Sequence, residues 1–267
     1  MPGAGCSGFQ PQRRFWLKAA LSAPLAGPWL AHPQSPTRIK IAAASNLKFV
    51  LADLVNHYRQ QTGIQVDVNL GASGNLARQI LQGLPVEQFI SADEAWVAEL
   101  VKADRTVDAG QRYATGRLSL IVPKNSALPL AQGLAAVVRA MKAGDKFAMA
   151  NPALAPYGVA AVEALQRAGV GPLPAARQVL GDSIGQATQF VATGAAQAGI
   201  TALALAQAPE IARSLQVLPL PADLHSPLHQ RMVLLKGAGV AAANWHRFLL
   251  SPPAQAVFVR HGYAMPQ

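Results

Sequence analysis

The sequence predicts an α/β protein of two lobes with a ligand cleft between them. The chain has 267 residues, enough for two intimately joined domains. Short apolar strand-like runs alternate with runs of helical period, and that alternation restarts midway along the chain. A composition 51% hydrophobic and 13% charged, with 20 Pro and 22 Gly, fits a folded globule with many turns and excludes a disordered chain.

Residues 1–36 read as a signal peptide and linker and are set apart from the fold. Arg13, Arg14 and Lys18 precede an apolar run from Ala19 to Ala31, and no acidic residue occurs before Asp53. Arg13-Arg14-Phe15-Trp16-Leu17-Lys18 resembles the twin-arginine export signature, with Gln12 ahead of the pair and Pro24 and Pro28 interrupting the run. The run is shorter than the ~20 apolar residues a membrane span needs, so export is predicted over anchoring. Cys6, the one cysteine, lies ahead of the expected cleavage region, which leaves no disulfide in the exported chain. Losing Arg13, Arg14 and Lys18 leaves 20 basic against 13 acidic residues, a charge of +7. These charges form no stripe and no nucleic-acid motif, so the positive field is expected to draw small anions.

The first lobe is predicted from residues 37–118 together with 230–267. A strand at Ile39 to Ala44 leads into a helix carrying Leu47, Val50, Leu51, Leu54, Val55 and Tyr58 at the 3.6-residue period, which Gly63 ends. Ile64, Val66, Val68 and Leu70 alternate as a strand, and after the Gly71 to Gly74 turn Leu76, Ala77, Ile80 and Leu81 line a second helix. A third strand near Gln88 to Ala92 and a helix from Asp93 complete a largely parallel sheet. The second lobe, residues 119–229, repeats the grammar: strands at Arg117 to Val122, Lys146 to Ala150, near Val179 and at Ala198 to Thr201, with helices from Pro156 and Ile184. A strand at Met232 to Leu235 and two C-terminal helices are expected to pack back on the first lobe. Hinges are expected near Ala114 to Ser119 and Pro227 to Met232.

The candidate chemistry lies at the strand-to-helix junctions. Ala44-Ser45-Asn46, Gly71-Ala72-Ser73-Gly74-Asn75 and Gly181-Asp182-Ser183-Ile184 each place small hydroxyl or amide residues at a helix start, and Pro156-Tyr157-Gly158 starts a fourth helix with proline. In open α/β sheets such junctions lie at the carboxyl ends of the strands, where ligands bind and helix N-termini offer N–H groups and partial positive charge. Each junction alone also has an ordinary explanation, because Ser and Asn are favoured caps. Several of them pointed at one cleft would make an anion site.

The joint pattern resembles a known family. Ile39-Lys-Ile-Ala-Ala-Ala-Ser-Asn-Leu47, Gly71-Ala-Ser-Gly-Asn-Leu-Ala-Arg-Gln-Ile80 and Phe89-Ile-Ser-Ala-Asp93 with Trp96 resemble the periplasmic molybdate-binding proteins of ABC transporters in order and spacing. Asn151-Pro152, Pro156-Tyr157-Gly158 and Gly181 to Ala202 match that family's second lobe. The resemblance implies the type II periplasmic binding protein fold, a bound molybdate or tungstate and no other cofactor, a membrane permease as partner, and a monomer in the periplasm. It also implies ligand contacts at Ser45, Asn46, Ser73, Tyr157 and Ile184, the last two chiefly through backbone N–H. Many members carry a tyrosine where this chain has Ala202. A subset instead pairs an asparagine after the first hydroxyl residue with a tyrosine at the position of Tyr157, as here.

The donor set agrees with such a ligand. Molybdate is a fully deprotonated dianion at neutral pH, so its site should present donors only, whereas hydrogen phosphate retains a proton and favours a site with an acceptor. The four junctions contribute one acid, Asp182, and Arg78 sits a turn into its helix, where a surface or interlobe pair is expected. Sulfate needs donors too, and its exclusion would depend on cavity size; molybdate and tungstate are nearly the same size. Binding of sulfate or a small organic anion is the alternative. Amino-acid binders usually clamp a carboxylate with arginine, which no junction offers. An enzyme is the remote reading: the Gly71 turn fails the G-x-S-x-G pattern, HExxH is absent, the six histidines are scattered, and no direct metal ligands are predicted. A regulator's effector domain would need a DNA-binding helix pair where the export-like segment stands.

Overall fold

The structure, a computed structural model, describes residues 37–266; the expected signal peptide lies outside the described residues. Two five-stranded sheets organise the chain. The first contains β1 (Arg38–Ala44), β2 (Gln65–Gly71), β3 (Gln88–Ile90), β4 (Gln111–Gly116) and β10 (Leu228–Leu234), in the order β2-β1-β3-β10-β4. The second contains β5 (Leu118–Pro123), β6 (Phe147–Ala150), β7 (Gln178–Gly181), β8 (Ala198–Ala202) and β9 (Leu215–Pro219), in the order β7-β6-β8-β5-β9. The helices are α1 (Lys48–Thr62), α2 (Ser73–Leu81), α3 (Ala95–Lys102), α4 (Leu134–Ala140), α5 (Pro156–Arg167), α6 (Ile184–Ala192), α7 (Leu203–Ala206), α8 (Pro209–Ala212), α9 (Val240–Leu249) and α10 (Pro252–Arg260).

Each sheet is mixed rather than largely parallel. β1 pairs in parallel with β2 and β3, and β6 with β7 and β8, as the strand-helix alternation requires. In each sheet the strand that enters at a crossover runs the other way. β5 is antiparallel to β8 and β9, and β10 is antiparallel to β3 and β4. The chain passes between sheets at Arg117 and again between Pro219 and Leu228. The second connection therefore spans 220–227, and residues 228–232, expected as a hinge, are strand.

Local sequence explains the elements around the cleft. β1 begins with the alternation exposed, buried, exposed and then stays buried through Ala44, because its end is central in the sheet and covered on both faces. α1 buries Val50, Leu51, Leu54 and Tyr58 on one face, and Gly63 ends it in the left-handed region at φ 72°, donating its N–H to Arg59 O. α9 and α10 return to α1 as expected: Trp245 meets Tyr58 edge-on at 5.1 Å, and Phe248 lies 5.0 Å from the Tyr58 ring. On the other face of the first sheet, Leu76, Ala77 and Ile80 of α2 and Val97 and Leu100 of α3 pack against Ala42, Phe89 and Val233.

One charge cluster ties α3 to the antiparallel edge of this sheet. Glu94 receives Arg112 Nε at 2.9 Å and Arg231 Nε at 2.9 Å. The Arg112 guanidinium first, with Arg231 adding to it, holds the Glu94 carboxyl down to about 2 against the opposing effect of burial. A depressed folded pKa stabilises the protein above the unfolded value of 4.5 and loses that contribution as pH falls through about 2. Glu94→Gln is expected to flatten the part of the acid-unfolding profile between those limits. Solvent screening keeps the effect on the order of 1 kcal/mol at neutral pH. Denaturant midpoints of the two proteins between pH 6 and pH 2 check it.

Candidate functional site

Register brings the junctions together in pairs. Ala44 lies opposite Gly71 at the ends of β1 and β2, so Ser45 and Ser73 start neighbouring helical segments. Ala150 lies opposite Gly181 at the ends of β6 and β7, which does the same for the starts of α5 and α6. Two hydrogen bonds donated by backbone N–H groups then join the pairs across the cleft. Gly185 N–H donates to Ser45 Oγ at 3.2 Å, and Gly74 N–H donates to Leu154 O at 2.9 Å. The lobes are thus closed against each other, with all four junctions at their meeting surface.

The helix starts share an unusual chemistry. Serine and asparagine at these junctions are not caps in the first lobe; Ala44 and Ala72 hold the cap positions, Ala155 caps α5, and none of the three offers a side-chain acceptor. Alanine in place of Ser, Thr, Asn or Asp costs about 1 kcal/mol per helix. Only α6 is capped, by Ser183 Oγ on Gln186 N–H. No acid occupies the first turn of α1, α2, α5 or α6. Among the described residues, no protein acceptor meets the backbone N–H of Ser45, Asn46, Ser73, Tyr157 or Ile184. Pro156 at the first position of α5 has no N–H of its own, which makes Tyr157 the first donor of that helix. Unpartnered donors at helix starts attract an anion, through both the hydrogen bonds and the helix dipole.

The two hydroxyls are set as donors. Ser73, buried at the start of α2, accepts Ala92 N–H at 3.0 Å, and Ser45 accepts Gly185 N–H. A serine oxygen already accepting a backbone N–H keeps its own proton for another partner. Asp93, which follows Ala92, has its Oδ1 engaged by Ser91 Oγ at 3.0 Å and Trp96 N–H at 3.3 Å at the entrance to α3. Burial raises its pKa. Asp182 is exposed, and Arg78 stacks 5.5 Å from the Trp96 ring and donates to Asn75, both on the first lobe. Neither an acid nor a fixed cation joins the donor set.

Asn46 turns its side chain away from the other donors. Its side chain is buried, and its Nδ2 donates to Gln230 Oε1 at 3.1 Å and to Tyr263 OH at 3.0 Å, so both amide protons are occupied within the protein. Its backbone N–H is the donor left to offer. Tyr157 likewise directs its phenol inward, where the hydroxyl accepts Gln230 Nε2 at 3.0 Å and burial pushes its pKa far up, keeping it neutral. Ile184 is buried at the first position of α6. Ala202, where a tyrosine is common in the resembling family, is fully buried ahead of α7. Sequence reasoning passed over Gln230, Tyr113 and Tyr263, which hold Asn46 and Tyr157 from behind. The signal for Gln230 was its place between Leu228 and Met232 on the buried face of β10.

Among the described residues, no group of three or more His, Cys, Asp or Glu could hold a metal ion, and no helix is long and apolar enough to cross a membrane. The model of the family described as bacterial extracellular solute-binding protein matches residues 39–264. The chain is 34% identical over 240 residues to the molybdate-binding protein ModA of Azotobacter vinelandii, covering 88% of this chain and 93% of the relative. It is 35% identical over 238 residues to ModA of Rhodobacter capsulatus, covering 88% and 91%. The solved periplasmic molybdate-binding protein of Azotobacter vinelandii superposes with a TM-score of 0.76 at 30% identity, over 86% of this chain and all of that one. A two-lobed fold that brings its helix starts together where the lobes meet suits capture of a small solute, and with a match across both lobes the chain belongs to the bacterial extracellular solute-binding protein family.

Proposed function

We propose that this protein captures molybdate in the periplasm and delivers it to the permease of an ABC transporter. The observation that carries the reading is the set of unpartnered backbone N–H groups at Ser45, Asn46, Ser73, Tyr157 and Ile184, together with two hydroxyls whose oxygens already accept. A tetrahedral dianion with no proton offers acceptors on every side, which is the complement of a donor-only cage. Charge-assisted bonds from neutral dipoles hold such an ion without a fixed counter-ion, which suits capture followed by release. Tungstate, of the same charge and nearly the same size, binds the same cage. The names of the relatives at 34% and 35% identity support molybdate over sulfate or an organic anion. The relatives are solute-binding proteins, and this chain is read as a binding protein and not an enzyme.

Finer features belong to the same proposal. The protein is exported by the segment 1–36, twin-arginine in type, works as a monomer, and engages neither nucleic acid nor any further cofactor. Lobe one, expected at 37–118 with 230–267, and lobe two, expected at 119–229, are proposed with their boundaries at Arg117 and within 220–227, where the chain changes sheet.

Calorimetric titration at neutral pH tests the reading. Molybdate and tungstate are expected to bind one to one, with sulfate and phosphate silent at the same concentrations. Ser73→Ala removes one donor to a charged ligand, a loss of about 1.5 to 3 kcal/mol, or roughly tenfold to a hundredfold in Kd. Because Ala92 N–H then loses its acceptor, the thermal midpoint is expected to fall as well. Silence from all four anions, or an unchanged Kd in Ser73→Ala, contradicts the assignment.

A further inference from the structure

We propose that Gln230 is a positioning residue of the anion site, a buried amide that fixes the first lobe's Asn46 and the second lobe's Tyr157 relative to each other; this rests on the reading of those junctions as the site. Gln230 lies on β10, fully buried. Its Oε1 accepts Asn46 Nδ2 at 3.1 Å and Tyr113 OH at 2.6 Å, and its Nε2 donates to Tyr157 OH at 3.0 Å. The one side chain thus bonds residues 184 and 73 positions away in sequence, one at each side of the cleft. Tyr263 closes the arrangement from the C-terminus, donating to Asn46 O at 2.9 Å.

The location gives the amide its leverage. Tyr157 is the second residue of α5: its backbone N–H is the first donor of that helix, while its phenol reaches back to Gly116, the last residue of β4 before the crossover at Arg117. A Cβ at position 116 would collide with both Tyr157 OH and Gln230 Nε2, so a glycine there is what lets the phenol and the amide meet at the crossover. A displacement of the phenol is transmitted through a rigid ring to the start of α5. Asn46, on the other side, is held by both its amide protons. Buried polar networks of this kind specify one arrangement because any member left unpaired is costly. Gln230 therefore sets the spacing between the two halves of the donor cage without being aimed at the ligand.

The test is a double-mutant cycle read by molybdate titration. Gln230→Met keeps the length and removes both partners, and Tyr157→Phe removes only the hydroxyl while leaving the backbone donor in place. Gln230→Met is expected to raise the molybdate Kd at least tenfold, and Tyr157→Phe severalfold. The double variant is expected to lose clearly less than the product of the two, because the amide acts in part through that hydroxyl. A lowered thermal midpoint is expected of Gln230→Met in either case, because Asn46 and Tyr157 each lose a buried partner; a general loss of packing would differ in multiplying the losses of affinity. If Gln230→Met does not fold, Gln230→Asn, which retracts the amide by one methylene, takes its place with the same expectations. Multiplying losses, or an unchanged Kd in a wild type that binds molybdate, overturns the positioning role alone; a wild type silent toward molybdate overturns the functional reading and this inference with it.

Discussion

Replacing Gly74 by alanine is expected to weaken anion binding about tenfold to a hundredfold while leaving the first lobe folded. Gly74 is the second residue of α2, and its N–H donates across the cleft to Leu154 O. A Cβ there would lie 2.6 Å from Trp96 Cζ2 and 2.8 Å from Leu154 O, too close for either to stay in place. The two neighbours differ in what they can yield. Trp96 is partly exposed and can rotate, whereas Leu154 O is backbone at the entrance to α5, so relief there must come from moving the second lobe. Overpacking of this kind costs about 1 to 3 kcal/mol, which here falls on the closed arrangement. Calorimetry of Gly74→Ala gives the Kd, and small-angle scattering with saturating molybdate gives the radius of gyration, expected to exceed that of the wild type. Wild-type values for both would mean that closure does not bring Leu154 against α2.

The largest effect on stability is expected from Trp245→Ala, at about 3 to 5 kcal/mol. The indole is fully buried between α9 and α1, edge-on to Tyr58 at 5.1 Å and 5.5 Å from the Phe248 ring. A loss of that size is a large share of the roughly 5 to 15 kcal/mol that holds an ordinary domain together. Its Nε1 has no hydrogen-bond partner among the described residues. Trp245→Phe, which keeps an aromatic ring and removes the unpaired donor, is therefore expected to cost less than half as much. Urea unfolding of the two variants separates them, and equal losses would contradict the account. Molybdate affinity of the folded fraction is expected to be unchanged in both, since Trp245 lies behind α1 and not at the cleft.

What the sequence revealed and what it hid divide along contact range. The junctions at Ser45, Ser73, Tyr157 and Ile184 were legible because a strand end, a small residue and a helix start are neighbours in the chain. Their convergence followed from the rule that strand ends in parallel pairs face one edge. The opposite direction of β5 and β10 was not legible, since it depends on pairings such as Leu118 with Ala202 and Gln230 with Ala114. β4 was missed because Gln111-Arg112-Tyr113-Ala114-Thr115-Gly116 reads as a polar stretch, and only its place at a sheet edge makes it a strand. β10 was begun too late for a related reason: His229, Gln230 and Arg231 mask the buried alternation of Leu228, Gln230 and Met232. That masking also hid Gln230. The inward turn of the Asn46 amide escaped notice because its partners, Gln230 and Tyr263, come from the far end of the chain. The alanines at the cap positions were visible all along, but an absent cap carries meaning only once the helix start is known to face a ligand.

The most direct measurement is diffraction at the molybdenum absorption edge from crystals of residues 37–267 grown with molybdate. The account predicts one anomalous peak per molecule, between the lobes, with the oxygens around it in hydrogen-bonding range of the N–H groups of Ser45, Ser73, Tyr157 and Ile184 and of the two serine hydroxyls. A peak elsewhere on the surface, or none in crystals grown at saturating molybdate, would contradict it.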